Sequence, residues 1–133
     1  MDYVTINGVS YDVLVTNIKR VATIKNSENS GSTLGAGSPE TLDPLGTFIT
    51  YSVTFKRRVG YEKKFDDLWD CITKPYYNGI PVKFVYNQKT IEYDAKFEVA
   101  EQNLDRIDKS TGKIYWGEIT VDCVPTKAQV LPV

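Results

Sequence analysis

The chain has 133 residues, 41% hydrophobic and 25% charged, with a net charge of −1 and no His; this is enough for one domain with a real core. The near-neutral balance supplies no field for nucleic acid or an anionic surface, and no apolar run approaches the roughly 18 residues that a membrane helix needs. Without His there is no usual general base, no Ser–His or Cys–His nucleophile pair, and the commonest metal ligand is missing.

In chain order, "MDYVTINGVSYDVLV" has no basic start and no small-residue cleavage site, so it reads as the opening of a fold and not as a secretory signal. Asn7-Gly8 lies between two β-prone runs and predicts a two-residue hairpin turn, because both residues accept positive φ. In the second run Tyr11, Val13 and Val15 alternate with Ser10, Asp12 and Leu14; a third strand is predicted from Ile18 to Ile24. From Lys25 to Gly46 the chain is rich in Gly, Ser and Asn and has no aromatic residue, which predicts a long loop over about 25–46. Loops of that length within a domain are usually functional or disordered.

"FITYSVTFK" alternates cleanly, with Ile49, Tyr51, Val53 and Phe55 on one face. The period then changes. Tyr61, Phe65, Leu68, Trp69 and Ile72 fall on one stripe of a helix, predicted over about 61–73 and stopped by Pro75. Trp69 is expected to anchor this single helix on a sheet, with Phe65 beside it. Val82, Phe84 and Tyr86 alternate, a turn is predicted at Asn87 to Lys89, and Ile91, Tyr93, Ala95, Phe97 and Val99 alternate with charged residues. Tyr93 and Phe97 are expected core anchors. After a turn in "DKSTGK", the last strand places Tyr115, Ile119, Val121 and Cys123 on one face and Trp116, Glu118, Thr120 and Asp122 on the other. Gly117 leaves a gap on the apolar face, where an aromatic ring is expected. Trp116 points outward, either under the loop or at an interface. Residues 125–133, "PTKAQVLPV" with Pro125 and Pro132, read as an extended C-terminal tail.

Together these elements predict one mainly β domain over 1–133: an antiparallel β-sandwich or barrel with one flanking helix. Cys71 and Cys123 are too few for a disulfide scaffold and read as two buried thiols, a single disulfide being the other option. Gly-Ala-Gly in "STLGAGSPE" does not follow a strand and open a helix, so it is no phosphate loop. Asp66 and Asp70 share a helix face, which reads as a solvated face and not as an acid–base pair. "DRIDKSTGK" lacks the acidic spacing of a calcium loop. No enzyme, metal or cofactor is expected.

Three stretches carry a resemblance over about Val13 to Ala128: "YSVTFKRR" with "YEKKFDDLWDCITKP", "FVYNQKTIEYDAKFEVAEQNLDRI", and "IYWGEITVDCVPTKA". The chain resembles the small tail proteins (tail tube, distal tail or baseplate hub) of phages and prophages of Gram-positive bacteria and of phage-tail-like particles. The resemblance implies a virion structural protein, made in the host cytoplasm and located in the tail. It implies a β-sandwich or barrel with one helix, and homo-oligomeric rings, commonly hexameric, that contact other tail or baseplate proteins. On this reading the 25–46 loop is an assembly arm, with Ser30, Leu34, Leu42 and Leu45 as contacts alongside Trp116. The competing reading is a non-catalytic carbohydrate- or peptide-binding module, with Trp116, Tyr76 and Tyr77 as an aromatic platform.

Overall fold

A computed structural model describes residues 3–27 and 42–133. The elements are β1 (Thr5–Ile6), β2 (Leu14–Asn26), β3 (Pro44–Lys56), α1 (Glu62–Ile72), β4 (Ile80–Tyr86), β5 (Lys89–Asp108) and β6 (Lys113–Pro125). All strands join one six-stranded antiparallel sheet in the order β1-β4-β5-β6-β3-β2. The mainly β expectation with one short helix is met. The sheet coils without closing: Tyr51 of β3 stacks on Phe84 of β4 with ring centroids 4.7 Å apart, although β5 and β6 lie between these strands in the hydrogen-bonded order. Two halves of one sheet thus face each other like the layers of a sandwich.

The core follows from the alternation. Tyr51, Val53 and Phe55 of β3, Val82 and Phe84 of β4, and Ile119, Val121 and Cys123 of β6 are buried. Their registers match, with Tyr51 opposite Cys123, Val53 opposite Val121 and Phe55 opposite Ile119, so one face of each strand enters the same apolar volume. Helix α1 covers this volume with Phe65, Leu68, Cys71 and Ile72. Trp69 is only partly buried against the core, so Phe65 and Leu68 are the main anchors and Trp69 a flank. Tyr93 and Phe97 are also half-buried, packed against the core.

The N-terminal region differs from the expected hairpin. Asn7 and Gly8 do have positive φ, 54° and 77°, and Ile6 and Val9 exchange backbone hydrogen bonds of 3.1 and 3.0 Å. The ladder ends there. Thr5 and Ile6 pair with Lys83 and Val82 of β4 instead, and Asp12, at φ 50°, interrupts the following run. Only Leu14 and Val15 of the second predicted strand are in a strand; they join the third in the 13-residue β2. Ladder pairing also shortens the expected loop, since Lys25 pairs with Gly46 and Asn26 with Pro44. Pro125 belongs to β6, and the tail beyond it is fastened: the Thr47 amide donates to the Val130 carbonyl at 2.8 Å, and the Ile49 amide to Oε1 of Gln129 at 2.7 Å.

Candidate functional site

The sheet has an open seam between β2 and β4, bridged by side chains. Arg20 of β2 donates through Nη1 to Oδ1 of Asn87, in the β4–β5 turn, at 3.0 Å, and its guanidinium lies 5.3 Å from the Tyr86 ring centroid. The Tyr51 hydroxyl donates to the Val85 carbonyl at 2.8 Å. One end of the seam holds a cleft of about 480 Å³ whose walls include Val4, Val9, Val15, Ile18, Phe55 and Val85. β2 is the outermost strand, and every one of its residues is exposed. Leu14, Val15, Ile18, Val21 and Ile24 are large apolar side chains among them.

At the opposite end, β5 and β6 run on as a two-stranded arm. β4 pairs with β5 only from Lys89 to Ala95, and β3 pairs with β6 only from Ile119 to Cys123. Beyond these limits β5 and β6 pair with each other, out to Asp108 opposite Lys113. The turn between them is shaped by Gly112, at φ 76°, and by Asp108, whose carboxylate accepts from the Ser110 amide and hydroxyl at 3.1 and 2.7 Å. These Ser110 bonds, with those from Thr111, hold the Asp108 carboxyl below its ordinary pKa.

The arm has two unlike faces. Leu104 pairs with Trp116 and Ile107 with Ile114, giving a row of exposed apolar side chains. On the other face the Tyr115 ring carries both Arg57 and Arg106, at 5.1 and 4.3 Å from its centroid. Arg57 also fastens the arm to β3's end: Nη1 donates to the Trp116 carbonyl at 2.6 Å and Nη2 to Oδ2 of Asp105 at 2.7 Å. Trp116 is therefore outward-facing as expected, at 38% exposure, beside Leu104.

Gly117 departs from expectation. No ring fills its gap. A Cβ there would lie 3.0 Å from the Asn103 carbonyl oxygen, because β5 bulges between Gln102 and Leu104 and pushes its backbone toward β6. Gln102 seals the site by donating from Nε2 to the Gly117 carbonyl at 3.1 Å.

Of the other predicted contacts, Leu42 and Leu45 are exposed beside and within the start of β3, while Ser30 and Leu34 lie outside the described residues. The aromatic platform does not assemble. The Tyr76 hydroxyl donates to the Cys71 carbonyl at 2.8 Å and covers the helix end; burial first, then its contact with Cys71, pushes its pKa up to about 12. Tyr77 is fully exposed. Both precede Ile80, which pairs with Ala95 and so lies beside Pro125, about 30 Å along β6 from Trp116.

The described chemistry is sparse. Cys71 and Cys123 are buried free thiols, and burial pushes the Cys123 thiol up. Asp66 is raised by partial desolvation and then by the nearby carboxylates of Asp70 and Asp67. Among the described residues no group of three His, Cys, Asp or Glu is placed to hold a metal ion, and no helix is long and apolar enough to cross a membrane. No family model matches the chain, and no curated protein sequence matches it.

The arm is the feature that sequence reading missed. Its signal was present in "EQNLDRID", but Leu104 and Ile107 are three apart. The bulges at Gln102/Leu104 and Leu104/Arg106 break the period of two that identifies a strand.

Proposed function

We propose that this chain is a structural subunit of a phage tail or phage-tail-like particle. Copies assemble with one another into rings, and with neighbouring tail or baseplate proteins, within the virion tail. The observation that carries the reading is β2: thirteen exposed residues at a sheet edge, five of them large and apolar. Proteins that act alone keep edge strands short, charged, bulged, interrupted by Pro or covered; β2 has cations at Lys19, Arg20 and Lys25 but is neither short nor covered. A long apolar edge suits a protein whose sheet is completed by a neighbour. The exposed row of Leu104, Ile107, Ile114 and Trp116 supports the same reading, since an outward Trp backed by aliphatic residues is a common interface anchor. The resemblance in the helix segment and in "YWGEITV" directs the assembly reading to phage tails.

Native mass spectrometry with negative-stain microscopy across a concentration series tests it. Rings or stacked tubes are expected, alone or with neighbouring tail proteins, and Trp116→Ala should weaken them while the fold is kept. A strict monomer that binds no other tail component overturns the reading.

A further inference from the structure

We infer that β2 of one copy pairs with the β5 edge of the β5–β6 arm of a second copy, a head-to-tail contact guided by opposite charge. The inference rests on the assembly reading and specifies its contact. Among the described residues no main-chain hydrogen bond reaches β2 from the side away from β3. From Asn17 to Lys25 the ladder with β3 is regular, so the N–H and C=O groups on the other side form an even row, crossed at one point by the Arg20 side chain that reaches Asn87. The arm is the complementary case. A two-stranded ribbon is marginal in water and gains stability from a third strand. Arg57 holds both the Trp116 carbonyl of β6 and the Asp105 carboxylate of β5; beyond Ala95 no β4 residue pairs with β5, and this β5 side is the edge taken for addition.

Charge decides which strand fits. β2 carries Lys19, Arg20 and Lys25 and no carboxylate. From Lys96 to Asp108, β5 carries Glu98, Glu101, Asp105 and Asp108 against Lys96 and Arg106. Glu98 is paired with Lys96 and Asp105 with Arg57, which leaves Glu101 and Asp108 as the carboxylates of this stretch without an ion pair among the described residues. Pairing two β2 strands would set cations beside cations with no acid to offset them, which is destabilising in a sheet. Pairing β2 with the arm sets cations against carboxylates. Lys19 and Lys25 thus guard the edge against indiscriminate addition and admit an acidic strand. Because the two surfaces differ, the contact is heterologous, and repetition gives a ring where the rotation closes.

The test is a charge swap on the full chain. K19E/K25E and E98K/E101K are each expected to weaken self-association by about tenfold or more, as followed by sedimentation velocity. An equimolar mixture of the two should form mixed dimers, in which one swapped β2 meets one swapped arm, at close to wild-type affinity. Circular dichroism checks that each variant is folded. Wild-type oligomers that persist unchanged in both variants would overturn this contact and leave the assembly reading standing. Loss of association in both variants without recovery on mixing would also overturn it. A wild-type protein that is monomeric under all conditions, and with other tail proteins, would overturn both.

Discussion

Tyr51 and Phe84 stack at 4.7 Å with ring planes 15° apart, and this contact makes one sheet into two facing layers. Both side chains are fully buried, and the Tyr51 hydroxyl reaches across to the Val85 carbonyl. Tyr51→Ala should cost about 3–5 kcal/mol, the usual loss for a buried aromatic residue. Tyr51→Phe keeps the stack, loses one hydrogen bond and should cost ~1 kcal/mol. Urea unfolding of both variants measures the difference.

Arg57 acts on the arm alone. Its two hydrogen bonds and its position over Tyr115 join β3's end to both arm strands. In Arg57→Ala, amide exchange should accelerate across Leu104 to Trp116, and protection of Tyr51 to Phe55 should stay unchanged. Local stability should fall by about 1 kcal/mol, as for a partly exposed charged pair. Hydrogen exchange resolves the two regions in one experiment.

Two glycines with the same φ separate backbone strain from crowding. Gly8 is at φ 77° in open space, whereas a Cβ at Gly79, φ 75°, would lie 2.6 Å from the Ala95 carbonyl oxygen. Gly8→Ala should cost ~1 kcal/mol from the left-handed conformation. Gly79→Ala must also displace β5's backbone and should cost at least ~2 kcal/mol. Thermal unfolding of the pair reads the gap.

Asp66 makes stability depend on pH in a defined direction. Its folded pKa is raised by desolvation first and then by Asp70 and Asp67. A raised folded pKa favours the protonated form, so the contribution to stability is present at low pH and lost as pH rises through the folded pKa. At pH 7 the ionised Asp66 is therefore a net cost. Asp66→Asn should raise Tm at neutral pH, and the gain should vanish near about pH 3, below the ordinary Asp pKa. Tm measured for both proteins across pH tests the sign.

Where period and burial agreed, the fold was legible in the sequence. Tyr51, Val53 and Phe55 alternate in sequence and are buried together, and the stripe of Phe65, Leu68 and Ile72 gives the helix face that packs. The turn at Asn7-Gly8 was legible because it is local. Its pairing was not, since β1 chooses β4, more than seventy residues later. The arm escaped because bulges shift its face twice. The proposed interface was half legible: Trp116 stood out on the polar face, but its partner Leu104 is fixed only by the bulged register.

The central claim is that β2 is completed by another copy. Amide hydrogen exchange over Leu14 to Asn26, compared between dilute and concentrated protein, tests it most directly. The account predicts that β2 amides on the side away from β3 exchange freely when dilute and become protected on assembly, with Val53 and Val121 unchanged. Equal exchange of β2 in both samples, with oligomers present in the concentrated one, would contradict it.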